Sequence, residues 1–146
     1  MSTLDDPATI HEIDDAWHGR DLPQELIDAW GVAREARLFA DVSYGQWGLV
    51  LLSPSASAQR TAREPESRPS EYRPDDIVIG EFLGDQELLV LAASEAGVRR
   101  VLIALPLDSR AEWFGVADGL NRFLDRYFEH GGDKYWERDH CGMQPG

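Results

Sequence analysis

The stretch from Ile77 to Leu91 constrains the fold of this chain more than any other feature of the sequence. Two apolar runs, the first rich in β-branched residues, flank the turn residues Gly84 and Asp85. Such runs around a Gly-Asp turn are typical of a β-hairpin, and their apolarity favours a central place in a sheet. Since Val98 to Leu105 predicts another strand, we expect three neighbouring antiparallel strands between Ile77 and Leu105.

Helices are predicted on both sides of these strands. Asp21 is positioned to cap a first helix, and Gln24 stands where a capping box would place it. Apolar residues recur at helical spacing from Val116 to Phe128, and the Gly131-Gly132 pair is expected to end that helix. Because the opposite face of this second helix is polar, its apolar face is expected to pack on the sheet.

Two further strands are predicted between the first helix and the central hairpin. They run from Ala36 to Asp41 and from Trp47 to Leu52, with a turn at Gly45 between them. Strands grouped between helices, without strand-helix alternation, indicate the α+β class. We therefore expect a largely antiparallel sheet flanked by an N-terminal helix and a C-terminal amphipathic helix.

The length of 146 residues suits a single domain. Three segments of this domain are distinguished in the sequence. Residues 1–20 form either a short amphipathic helix or a mobile arm, and residues 54–74 form an insertion loop with a short helix at 56–64. Residues 137–146 are expected to be a loose tail.

The charge of the chain limits its partners. Asp and Glu number 27 against 14 Lys and Arg, a formal net charge of -13. This field repels nucleic-acid phosphates and anionic lipids, so we expect neither as a partner, and it speeds encounter with a basic protein surface. With one cysteine, no apolar run of about 20 residues and no apolar N-terminal segment, the chain is expected to be cytoplasmic.

Motifs for metal binding and nucleophilic catalysis are not found in the sequence. His130 with Asp133, and the run Asp139-His140-Cys141, lack the ligand spacing of zinc sites. The sequence has neither a G-x-S-x-G elbow nor a glycine-rich phosphate loop. We therefore expect no metal and no cofactor.

Acidic side chains around the central hairpin form the candidate site, with Tyr44 and Trp113 from other segments as candidate aromatic anchors. Glu81, Asp85 and Glu87 share one parity, so they are expected to line one face of the sheet. They could act as general acids and bases, or they could belong to an acidic protein-binding surface anchored by exposed aromatic residues. The predicted partner-binding residues are Tyr44, Asp75, Asp76, Glu81, Asp85, Glu87 and Trp113.

Several motifs in one order resemble the SUKH superfamily, which includes a fungal cell-wall synthesis regulator and many bacterial immunity proteins. The strings DDIVIGEFLGDQELLVL and EWFGVADGLNRFLDRYF carry most of the resemblance, together with the Leu22-Pro23 step before the first helix. The resemblance spans Asp21 to Glu129. The end of the first helix departs from the pattern, because charged residues follow Trp30-Gly31-Val32 where the family usually has a small-residue turn.

The resemblance implies a non-catalytic α+β domain. Bacterial members commonly neutralise polymorphic toxins, including nucleases, by binding them, so the leading hypothesis is an immunity protein that binds a basic toxin domain. A regulatory or scaffold domain that binds a protein of its own cell is the first alternative. A small hydrolase that uses the hairpin carboxylates is the second.

Overall fold

The computed structural model describes residues 2–40, 48–93 and 99–137. Within these ranges the chain forms one seven-stranded antiparallel sheet in which every strand lies beside its neighbour in sequence. The protein is therefore of the α+β class, as the sequence predicts. Its elements are β1 (Thr3–Leu4), α1 (Ile10–Trp17), α2 (Gln24–Val32), β2 (Ala36–Leu38), β3 (Leu49–Leu51), α3 (Pro54–Ser67), β4 (Ile77–Phe82), β5 (Leu88–Ala92), β6 (Arg100–Ala104), β7 (Phe114–Asp118) and α4 (Leu120–Glu129).

The predicted central strands are confirmed. Strands β4, β5 and β6 are adjacent and antiparallel, with Ile77 opposite Leu91 and Leu88 opposite Ala104. All five residues of β5 are buried, because helices or loops cover both faces of this strand. Val98, where the third strand is predicted to begin, lies outside the described residues.

The helix predicted from Val116 begins later than expected. Val116 and Ala117 belong to β7, where Ala117 lies opposite Val101 of β6. Gly119, at φ 109°, turns the chain between this strand and α4. Apolar spacing alone could not separate the two elements, because a short strand followed by a helix leaves apolar residues at similar intervals.

The end of α4 is as predicted. The amides of Gly131 and Gly132 donate to the carbonyls of Phe128 and Tyr127. Both glycines have positive φ, which the helix terminus requires. A Cβ on Gly132 would lie 2.5 Å from Cγ of Phe39, so the close approach of Phe39 also depends on this glycine.

The N-terminal segment forms the helix α1, the first of its two predicted alternatives. Thr9 caps this helix, and Ile13 and Trp17 are buried in the core. The predicted cap of the next helix is wrong, since α2 begins after Pro23 and no side chain caps it. Gln24 donates instead to Asp28 one turn later.

The short helix predicted at 56–64 is present as part of the longer α3, so the predicted insertion loop is wrong over residues 54–67. Helix α3 continues to Ser67 and contains Pro65 in its last turn. The proline removes one backbone hydrogen bond, and the helix ends two residues after it. Side chains of α3 also bond the start of β4, which β3 does not reach because it pairs only with residues 80–82. Ser57 donates to the carbonyl of Val78, at 2.6 Å, and Thr61 accepts from the amide of the same residue at 2.8 Å.

Strands β2 and β3 are shorter than predicted, with Ala36 opposite Leu51. The turn predicted at Gly45 lies outside the described residues. Of the predicted tail, Glu137 is described and exposed.

Side chains pack on both faces of the sheet. One face carries the larger cluster, in which Phe123 of α4, with 0% of its surface exposed, packs against β4, β5 and β6. On the opposite face Tyr72 and Trp113 cover apolar residues such as Val90 and Leu102. Helix α4 thus covers the central strands, as predicted, although it begins at Leu120.

Candidate functional site

The three carboxylates predicted to share one face do not do so. Glu81 lies opposite Leu88 in the β4–β5 pair, so these two residues point to the same side of the sheet. Glu87 precedes Leu88 and therefore points to the other side. Odd-numbered residues of the two strands would share a face only if odd residues were paired with odd residues. Here the odd-numbered Glu81 pairs with the even-numbered Leu88, so Glu81 and Glu87 point to opposite faces.

Glu81 lies in a polar groove with a second carboxylate. The guanidinium of Arg60 donates to Glu64 at 2.8 Å and to Glu81 at 2.9 Å. The groove has a volume of about 460 Å³ and also contains Tyr72 and Arg68. Because one guanidinium bonds both carboxylates, this arrangement favours an ion-paired surface over an acid-base pair.

Asp85 and Glu87 hold the C-terminal segment. Both accept from Nζ of Lys134, at 2.8 Å for Glu87. The lysine side chain is only 11% exposed and its nitrogen lies 5.3 Å from the ring centre of Phe82. Burial alone would lower the pKa of Lys134, but the bonds to the two carboxylates outweigh it and raise this pKa above its ordinary value.

Asp76 is buried, which corrects its prediction as a surface partner-binding residue. Only 3% of its surface is exposed. Its carboxylate accepts two hydrogen bonds from Arg110, at 2.5 and 3.0 Å, and one from the amide of Arg73 at 2.9 Å. Asp76 therefore joins two loops on the Trp113 face of the sheet.

Trp113 is also buried and not the exposed anchor that the sequence predicts. Its ring packs edge-on against Tyr72. The guanidinium carbons of Arg68 and Arg110 lie 5.9 and 5.3 Å from the ring centre. The polar residues before Trp113 suggest that its ring is exposed, but the side chains of Arg68 and Arg110 cover the indole.

Of the remaining predicted residues, Asp75 is exposed and its carbonyl accepts from Arg99 at 2.8 Å. Tyr44 lies outside the described residues. The predicted residues thus form separate contacts, and the structure does not gather them into one surface.

A different feature, an apolar groove between α2 and α4, was missed in the sequence. We call it the α2–α4 groove. It has a volume of about 350 Å³, and its floor comes from β2, β3 and β4 through Leu38, Leu51 and Ile79. Five large apolar side chains in the described parts of the chain are exposed, and three of them line this groove: Leu4 at 61%, Val32 at 67% and Phe128 at 50%.

Two charged residues, Arg34 and Asp28, line the groove. Arg34 lines it, but its guanidinium binds Glu12 with two hydrogen bonds of 2.7 and 2.8 Å and lies 3.4 Å from Asp5. The bonds to Arg34 lower the pKa of Glu12, and those to Glu12 raise the pKa of Arg34. Asp28 also lines the groove and has no cation among its described partners.

One contact fixes the spacing of the groove walls. Gly119, before α4, has no side chain to cap the helix, and Glu25 of α2 accepts the amide hydrogen of Asn121 at 3.0 Å. A carboxylate at a helix N-terminus is favourable to the helix dipole. This bond therefore joins the walls at one end and leaves the rest of the groove open.

The sequence contains one signal for the groove. Tyr127 and Phe128 are consecutive on α4, so their side chains point about 100° apart and cannot both face the core. Tyr127 is buried and Phe128 is half exposed, which corrects the expectation that Phe128 packs on the sheet.

In residues 2–40, 48–93 and 99–137, no three His, Cys, Asp or Glu side chains come together as a metal site. None of the helices described is long and apolar enough to span a bilayer. No protein-family model, curated protein or solved structure gives a significant match to this chain.

Proposed function

We propose that this chain is a protein-binding domain of the SUKH type that neutralises a toxin by binding it. The α2–α4 groove is the observation that carries this proposal. Three exposed apolar side chains, Leu4, Val32 and Phe128, gather at one opening. Scattered apolar residues are ordinary on a protein surface, whereas a contiguous group at a concave site is typical of an interaction surface.

The charge of the chain supports a protein partner of basic character. A net charge of -13 favours fast encounter with a basic surface. Basic surfaces are common in proteins that act on nucleic acids, so a nuclease toxin fits this field. The proposal places the complex in the cytoplasm, where a nuclease toxin would reach its substrate.

The carboxylate-hydrolase alternative has weaker support. Its best location is the polar groove of Glu64 and Glu81, where Arg60 bonds both carboxylates. A nucleophilic or general-base role would require one of them to leave that ion pair. The regulatory alternative uses the same kind of binding surface and differs only in the partner.

Capture from the native host tests the proposal. The tagged chain, its Val32→Asp variant and its Leu107→Asp variant serve as baits; Leu107 is 94% exposed and does not line the groove. We expect the parent and Leu107→Asp to retain one toxin-domain protein that Val32→Asp loses. The captured toxin should then kill an expression host unless the parent chain is co-expressed.

Two outcomes would contradict the proposal. Capture of a housekeeping protein that is not toxic would favour the regulatory alternative. Hydrolysis of ester or phosphoester substrates by the purified chain, abolished by Glu81→Gln, would favour the enzyme.

A further inference from the structure

We infer that the α2–α4 groove binds a cationic amphipathic helix presented by the partner protein. This inference rests on the protein-binding function proposed above and adds the chemistry of the partner. It is carried by the shape of the groove, by its apolar lining and by the charges at its mouth.

The walls of the groove have the spacing that a helix would match. On α4 the lining residues Leu124 and Phe128, which are at least partly exposed, stand four residues apart, with the buried Leu120 beneath the same stripe; on α2 Asp28 and Val32 are also four residues apart. Rows at this spacing are the ridges between which the side chains of another helix insert. From the exposed Asn121 to Phe128 the lining of α4 extends about 10 Å, or roughly two helical turns.

Small residues give the groove its depth. Ala29, Ala33 and Ala36 line it, where larger side chains would fill the space between the helices. Helices α2 and α4 are joined at one end by the Glu25–Asn121 bond, and between them the groove reaches down to side chains of the sheet, of which Leu51 is partly exposed. A third helix in this position would complete the helical layer over β2 and β3.

The charges at the mouth select a cationic helix. Asp28 lines one wall, and Asp125, which does not line the groove itself, is exposed one turn after the lining residue Asn121 of the other wall. Arg34 contributes little positive charge because two carboxylates surround it. Lysine or arginine residues beside the apolar stripe of the incoming helix would therefore face carboxylates on both walls.

The same charges argue against a second copy of this chain as the occupant. A symmetric dimer through the groove would bring identical acidic walls together, and each chain has a net charge of -13. Like charges placed opposite each other disfavour association. A basic partner removes this repulsion.

Two synthetic helical peptides of about 18 residues test the inference. Both carry the same leucine stripe at i, i+4 and i+7; one has lysines beside the stripe and the other has glutamates. Binding is measured by isothermal titration calorimetry at about 150 mM salt. The receptors are the parent chain, Val32→Asp, Leu4→Asp and the control Leu107→Asp.

We expect the lysine peptide to bind the parent and Leu107→Asp with equal affinity. Val32→Asp and Leu4→Asp should each weaken this binding at least tenfold, and the glutamate peptide should bind the parent at least tenfold more weakly than the lysine peptide. Thermal melts confirm that the variants are folded; if Val32→Asp is not, Val32→Ser should show a smaller loss in the same direction.

Several results would overturn the inference. Equal binding by all four receptors would place the peptide elsewhere, and equal binding of both peptides would remove the role of charge. A dimer that Val32→Asp dissociates would identify a second copy as the occupant, and a small apolar molecule retained in the native mass spectrum would identify a ligand pocket.

Failure here remains distinguishable from failure of the proposed function. If the host toxin binds the parent and Val32→Asp equally, the groove inference fails while the immunity function stands. If the lysine peptide binds as expected but no toxin is captured, the groove chemistry stands and the immunity function fails.

Discussion

Replacement of Asp76 by alanine should destabilise the fold by about 3 kcal/mol. Removal of one partner from a buried ion pair typically costs about 3 to 5 kcal/mol, because the other charge stays buried without compensation. For Asp76→Ala we expect a loss of stability at the lower end of this range. Arg110 is 15% exposed and retains its 2.9 Å hydrogen bond to the carbonyl of Glu71 and its contact with Trp113.

Urea denaturation followed by circular dichroism measures this loss. For a slope of about 2 kcal/mol per molar urea, the midpoint should fall by about 1.5 M. Asp75→Ala is the matched control, because the Asp75 side chain is exposed and only its carbonyl bonds Arg99. Its free energy of unfolding should change by less than about 0.5 kcal/mol.

A double variant separates the ion pair from simple loss of packing. Asp76→Leu combined with Arg110→Met removes both charges, and apolar replacement of a buried pair is often neutral. The double variant should recover at least half of the stability that Asp76→Ala loses. A midpoint for Asp76→Ala equal to that of the parent would show that the Asp76–Arg110 pair does not stabilise the fold.

Three other measurements check separate parts of the account. Phe123→Ala should cost about 3 to 5 kcal/mol in a urea melt, because Phe123 is fully buried; a midpoint that barely moves would place it outside the core. Burial raises the pKa of Tyr72 and Tyr127, so their contribution to stability should be complete below about pH 10 and be lost as the pH rises further. At least two of the four tyrosines should then ionise only as the chain unfolds; ionisation of all four at 295 nm before unfolding would contradict this. Asp28→Lys should slow association with the captured partner and flatten its dependence on salt between about 50 and 500 mM, as stopped-flow binding would show; an unchanged rate would exclude Asp28 from the encounter surface.

The central strands could be predicted because their signals are local. The apolar runs around Gly84 and Asp85 combine strand propensity with a turn, and neither depends on distant residues. The class of the fold follows from the order of such elements. Boundaries were less predictable: the start of α4 depends on pairing between β6 and β7, which the spacing of Val116 and Ala117 does not reveal.

The candidate site was less predictable for a different reason. Whether a carboxylate is exposed depends on its tertiary partners, and Asp76 meets Arg110 from a separate loop 34 residues away. Glu87 meets Lys134, 47 residues away, in the same manner. The α2–α4 groove is likewise a property of two helices that are far apart in sequence, and only the Tyr127-Phe128 pair indicated that one large apolar side chain would be exposed.

Hydrogen exchange of the chain, free and bound to its captured partner, tests binding through the α2–α4 groove most directly. The account predicts slower exchange on binding in α2 and in α4, which form the walls of the groove. The turn that contains Asp85 and the segment around Trp113 should exchange at the same rate in both states. Protection confined to these two segments, with α2 and α4 unchanged, would contradict the account and place the interface on the hairpin or on the opposite face of the sheet.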